Sequence, residues 1–131
     1  MAAFTTDETA KIKQALEQRQ RQLIEEIRDE LASSGEQHYI DLAGRVTDLA
    51  DESVADLIAD MDAAMVDRQV IEVREIEAAS ARLAAGDFGS CVDCGADIPL
   101  ARLLAYPTAV RCTACQAVHE KTYAHAGNPS L

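Results

Sequence analysis

Four cysteines narrow the possible folds of this chain more than any other feature. They stand at Cys91, Cys94, Cys112 and Cys115, as CxxC, seventeen residues, CxxC. Two residues between paired thiolates let both bind one ion, and four sulfurs suit tetrahedral zinc. Gly95 follows Cys94, where a knuckle bends back to offer backbone N–H groups to sulfur and a glycine tolerates the turn. With all four ligand positions filled by protein, no place is left for a substrate or a catalytic water. The reading is structural Zn2+, whose binding supplies folding free energy to a lobe with little core. Iron–sulfur ligation and a redox-active CxxC are the rivals, the latter weakened by a second pair within closing distance. Clustered cysteines in a chain that reads as cytosolic suggest a metal more than a disulfide framework.

The rest of the chain has to fold without much bulk. Of its 131 residues 48% are apolar, but only 4% are aromatic and none is Trp. Alanine packs helices closely yet buries little area, so a thin helical assembly beside a separately stabilised lobe suits this composition. The net charge of −11 argues against a nucleic-acid backbone as the main partner. Residues 1–85 carry 19 acidic and 9 basic side chains, against 4 and 3 in residues 86–131. Between Arg45 and Arg68 there is no Lys or Arg, while Asp48, Asp51, Glu52, Asp56, Asp60, Asp62 and Asp67 all fall there. No stretch approaches the ~18 apolar residues of a membrane span. The start, MAAFTTDETAK, has neither a basic nor an apolar signal region, so the expectation is a cytoplasmic protein.

Two long amphipathic segments precede the cysteines. Thr5 and Glu8 have capping-box spacing, with Thr6 and Thr9 as the rival pair. Ile12, Leu16, Leu23, Ile27 and Leu31 then form one stripe, which stops at 33-SSG-35. Residues 36–50 show no sustained period and read as a bend with a short helical turn. A second helix is expected from Glu52 to Ala85. Val54, Ile58, Met61, Met65, Gln69, Val73, Ile76, Ser80 and Leu83 form its heptad-like seam, and Gly86 ends it. Two such helices most naturally fold back into an antiparallel hairpin. The fold class is therefore all-α dominated: a long antiparallel coiled-coil hairpin over 1–85, with an acidic tip around 41–53. A small four-cysteine zinc-finger lobe with a short C-terminal helix occupies 86–131. In the lobe Ile98, Leu100, Leu103 and Leu104 are the expected core, Pro107 breaks any helix through them, and 116-QAVHEKTYAH-125 reads as the last helix. His119 stands four residues beyond Cys115 and is expected to be a surface or packing residue.

The run 86-GDFGSCVDCGADIPLARLLAYPTAVRCTACQ-116, behind a heptad helix, closely resembles the DksA/TraR family of bacterial transcription regulators. The likeness rests on Gly86-Asp87-Phe88-Gly89 through the first CxxCG, Arg102-Leu103, Ala105-Tyr106-Pro107-Thr108 and the second CxxC. It covers the cysteine lobe and second helix well, and the first helix only in pattern. The resemblance implies a regulator that binds RNA polymerase rather than DNA. Its lobe would rest on the rim of the secondary channel, and its coiled coil would enter toward the active centre. The family's tip motif, Asp-x-x-Asp-x-Ala, falls on Asp48, Asp51 and Ser53, the last departing from Ala. Asp also favours helix N-termini for capping and dipole reasons alone. Longer members share a ppGpp site with polymerase, built from basic side chains. Arg68 matches one, whereas the others fall on Glu75, Tyr106 and Gln116, so the expectation is a ppGpp-independent or weakly responsive member. The N-terminus is short beside those longer relatives, so the resemblance leads to the expectation that it lacks their extended segment packed on the lobe.

Other classes are less well served by the residues. No nucleophile stands beside a base and no Gly-rich phosphate loop is present, so an enzyme is not expected. A DNA-binding zinc protein would want a basic recognition helix, and residues 116–125 hold one Lys and one Glu. A zinc-stabilised coiled-coil adaptor explains the fold equally well but leaves the tip carboxylates idle. A monomer is expected.

Overall fold

The computed structural model describes residues 3–47, 54–59 and 64–126. Helix α1 spans Thr6–Ala32, 27 residues or about 40 Å of rod. Of the two capping pairs, Thr5 and Glu8 are the one used. The Glu8 N–H donates to Thr5 Oγ1 at 3.1 Å, and the Thr5 N–H donates to Glu8 Oε1 at 2.9 Å. All five residues of its apolar stripe are buried. The helix stops where Ser34 donates both its N–H and its hydroxyl to the Leu31 carbonyl, and Gly35 turns the chain at φ +81°.

Of residues 36–50, those from 37 to 47 form a full helix rather than the expected bend with a short helical turn. Helix α2 covers Gln37–Thr47 and packs against α1. Leu42, Ala43 and Val46 form its buried face, an i, i+1, i+4 pattern too short to stand out in the sequence.

The expected single helix from Glu52 to Ala85 is also divided. Helix α3 covers Val54–Ala59, a 3-10 turn covers Ala64–Val66, and α4 runs from Asp67 to Ala85. The backbone of Val66, at φ −115° and ψ 14°, is not helical. The turn departs from the expected seam locally. Val66 is fully buried where the heptad pointed to Met65, which is 43% exposed. Downstream the buried set is Val73, Ile76 and Ala79, so Ala79 replaces the expected Ser80. Val54 and Met61 of the expected seam lie outside the residues whose side chains are described.

Helix α4 ends on Gly86 in the left-handed region, φ +77°. The Asp87 N–H donates to the Arg82 carbonyl and the Gly86 N–H to that of Leu83, a pairing that needs the positive φ and hence glycine. Helices α1 and α4 contact each other and run antiparallel, since Arg19 meets Glu72 while Glu30, further along α1, meets Gln69. Arg19 Nε and Nη2 reach the two Glu72 oxygens at 2.5 and 2.8 Å, a bidentate pair between the helices.

The C-terminal part adds α5, Leu100–Ala105, and α6, Thr113–Ala126. Pro107 follows α5, as its missing N–H and fixed φ require. Ile98 and Leu103 are buried and Leu100 is half-buried, but Leu104 is 37% exposed and does not join the core as expected. The last helix starts earlier than the sequence suggested and includes Cys115. Phe88, Cys91, Ile98, Leu103 and Ala109 belong to the same buried cluster as the stripes of α1 and α4. Phe4, just before α1, meets Phe88 with ring centroids 6.2 Å apart, and α5 packs against α1.

Candidate metal centre

Two tight backbone turns bring the four cysteines together. In the first, Ser90 and Asp97 form an isolated antiparallel bridge, with the Cys91 N–H donating to the Ala96 carbonyl at 2.8 Å. Gly95 sits at the bend with φ +77°, and its N–H donates to the Cys91 carbonyl at 2.9 Å. The second pair lies where α6 begins, with Cys115 in the first turn of the helix. The Gln116 N–H donates to the Cys112 carbonyl at 2.9 Å.

The four sulfurs all lie within 4.8 Å of one another. Cys94 Sγ and Cys112 Sγ are 3.9 Å apart, much too far for a disulfide. That separation matches the edge, roughly 3.8 Å, of a tetrahedron of sulfurs about a zinc at ~2.3 Å. Cys91 is buried, Cys112 and Cys115 are half-buried, and Cys94 is exposed. His119 is not part of this group. The cluster is suited to a structural zinc ion, as the sequence led us to expect.

The thiols influence one another strongly. Desolvation raises Cys91, but N–H groups of Cys112, Cys94 and Asp93 together outweigh it and bring the thiol down to about 6. Cys115 is pushed up to about 12 by hydrogen bonding with the Cys112, Cys94 and Cys91 side chains, with burial adding to the effect. Crowded sulfurs resist collective ionisation, and a divalent cation removes that conflict by stabilising every thiolate. Cys91, Cys94, Cys112 and Cys115 would hold the ion, whose charge would keep the two CxxC runs closed.

A cleft of about 530 Å3 lies between α1, α4 and the segment after α5. Arg68, Glu75 and Tyr106, well separated in sequence, all line it. Gln116 lines a neighbouring depression shared with Tyr106 and Arg102. Inside the cleft Arg19 is engaged by Glu72, and hydrogen bonding to that carboxylate raises its guanidinium pKa further. Arg68 is exposed at the start of α4. Asp48, Asp51 and Ser53 lie outside the described residues.

Sequence reasoning did not single out Asp93 and Arg111, which connect the two cysteine pairs. Arg111 Nε donates to Asp93 Oδ2 at 2.8 Å. Asp93 stands directly before Cys94 and Arg111 directly before Cys112, a placement that does not by itself say that they meet. Nor did sequence reasoning link Arg19, Gln18 and Gln22 of α1 with the cleft.

Residues 86–121 match the family model described as the prokaryotic dksA/traR C4-type zinc finger. The chain is 36% identical over 70 residues to an uncharacterized 8.2 kDa protein in the gpA 5' region of Escherichia phage P2. That alignment takes in 53% of this chain and 86% of the phage protein. No solved structure matches the chain. The matched segment contains both CxxC pairs and the turns that close them, and proteins of this family are non-catalytic. Over residues 86–121 the chain is therefore similar to the prokaryotic dksA/traR C4-type zinc fingers.

Proposed function

We propose that this protein is a transcription regulator that binds bacterial RNA polymerase directly. The observation that carries the reading is the dksA/traR zinc finger at 86–121, standing at the end of a pair of long antiparallel helices. In this reading residues 1–85 are a coiled-coil hairpin and residues 86–131 a separate zinc lobe. The lobe docks at the rim of the secondary channel, and the hairpin carries its acidic end toward the active centre. Asp48 and Asp51 are the acting carboxylates, with Ser53 beside them. Cys91, Cys94, Cys112 and Cys115 are the zinc ligands.

The electrostatics support a protein partner rather than DNA. A net charge of −11 is repelled by a duplex, and α6 offers no basic face. The cleft residues support independence from ppGpp. Arg68 shares it with Glu75, whose carboxylate repels a polyphosphate, and neither Tyr106 nor Gln116 adds positive charge. The protein acts as a monomer in the cytoplasm, where its partner works.

Purified protein mixed with polymerase core and holoenzyme tests this, with Asp48→Asn/Asp51→Asn beside the wild type and each followed by transcription. Binding is expected for both, and regulation only for the wild type. A wild-type protein that leaves polymerase unbound would sink the proposal.

A further inference from the structure

Contacts other than those of the four sulfurs also join the two cysteine pairs. Asp93 lies inside the first pair, and Arg111 directly precedes the second. Their ion pair, Arg111 Nε to Asp93 Oδ2 at 2.8 Å, spans the gap, with the Arg111 side chain 20% exposed and that of Asp93 46%. One residue back on each side, the Val92 N–H donates to the Val110 carbonyl at 2.9 Å. Arg102 of α5 donates its Nε to the Arg111 carbonyl at 3.1 Å. Arg111 is therefore held at its side chain by the first pair and at its backbone by α5.

We propose that Asp93 and Arg111 act as a clasp that keeps the two CxxC runs together and so retains the structural metal. They are positioning residues, not ligands. Metal loss requires the two pairs to separate, and the clasp must open before they do. Charge adds a direction to the effect. Four thiolates around a divalent ion leave a net charge of −2, which a guanidinium beside it offsets and an unpartnered carboxylate opposes. Removing Arg111 strands the Asp93 carboxylate near an anionic centre, whereas removing Asp93 leaves the favourable cation. Loss of Arg111 is thus the more damaging of the two.

The inference rests on zinc binding at the four cysteines. The test loads the full chain with zinc, confirms one ion per chain by elemental analysis, and follows transfer of zinc to a chromogenic chelator. Arg111→Gln is expected to release zinc roughly 10-fold faster than wild type, the lower end of what loss of a partner around a metal site costs. Asp93→Asn should have a smaller effect, and Arg111→Lys should fall between wild type and Arg111→Gln. The double variant Asp93→Asn/Arg111→Gln should release no faster than Arg111→Gln alone. Added salt should speed release from the wild type and leave the double variant unchanged, a response that general unfolding would not produce. Wild-type release rates in the single variants, or effects that multiply in the double, overturn the clasp while leaving the zinc site intact. A wild-type protein holding no zinc overturns both.

Discussion

At Glu75 the surroundings act against the charge. Partial burial first, and then the Glu72 carboxylate one turn earlier, raise its carboxyl above the usual 4.5. A carboxyl whose pKa rises on folding binds its proton more tightly in the native state than in the unfolded one. Its contribution to stability is present in full below the unfolded value of 4.5 and is lost as pH rises through the folded value. At neutral pH the ionised Glu75 is therefore a net cost, which Glu75→Gln removes. The variant should be more stable than wild type at pH 7, by about 0.5 kcal/mol or less because solvent screens the site. Its advantage should shrink to nothing below pH 4.5, and paired urea titrations at the two pH values measure this. A variant less stable than wild type at pH 7 would show that the carboxylate makes a favourable contact. At this scale the sequence was legible wherever chemistry is local. The CxxC pairs and the Thr5–Glu8 cap declare themselves within four residues. Asp93 and Arg111 are eighteen residues apart, and nothing in the chain alone says that they meet.

Among the helices, α1 was readable almost to its ends because one stripe runs through it without interruption and both ends carry strong signals. The return path was not. A 3-10 turn at Ala64–Val66 interrupts the helix, and a heptad counted across it selects Met65 where Val66 is buried; further on Ala79 rather than Ser80 is buried. Periodicity assumes unbroken helix, and no Pro or Gly marks this break. Even so, the antiparallel approach of α1 and α4 followed from their stripes. Its polar reinforcement is the Arg19–Glu72 pair, whose side chains are 37% and 32% exposed. Such a pair is partly screened, though its two parallel hydrogen bonds place it above an ordinary surface bridge. A double-mutant cycle with Arg19→Ala and Glu72→Ala should give a coupling of about 0.5–1 kcal/mol. By contrast, Ile76→Ala, which opens a void between the helices, should cost about 2–5 kcal/mol in the same assay. A coupling near zero would mean that the apolar seam alone holds the two helices in register.

On the scale of the whole molecule, two features pull in different directions. Phe88, Ile98 and Leu103 share a buried cluster with the stripes of α1 and α4, and Phe4 reaches Phe88 from the start of α1. Yet the cysteine segment has few buried apolar residues of its own, so a metal held by its four cysteines would supply much of its folding free energy. The long helices have the larger apolar core: Ile12, Leu16, Leu23, Ile27 and Leu31 on α1 face the buried residues of α2 and α4. Burying each Ile or Leu contributes about 1.5–3 kcal/mol, enough for the helices to persist without the lobe. Chelation should therefore melt α5 and α6, with 6 and 14 residues, and leave α1 to α4, with 27, 11, 6 and 19. Ellipticity at 222 nm should fall by roughly a quarter, since the signal follows the number of helical residues. The remainder should still melt cooperatively at a lower temperature, because Phe4 and the start of α1 lose the surface against which they pack. Loss of nearly all helicity on chelation would instead make the chain one cooperative unit, with no boundary between residues 85 and 86. In that case zinc would hold not only the cysteine lobe but also the long helices of residues 1–85.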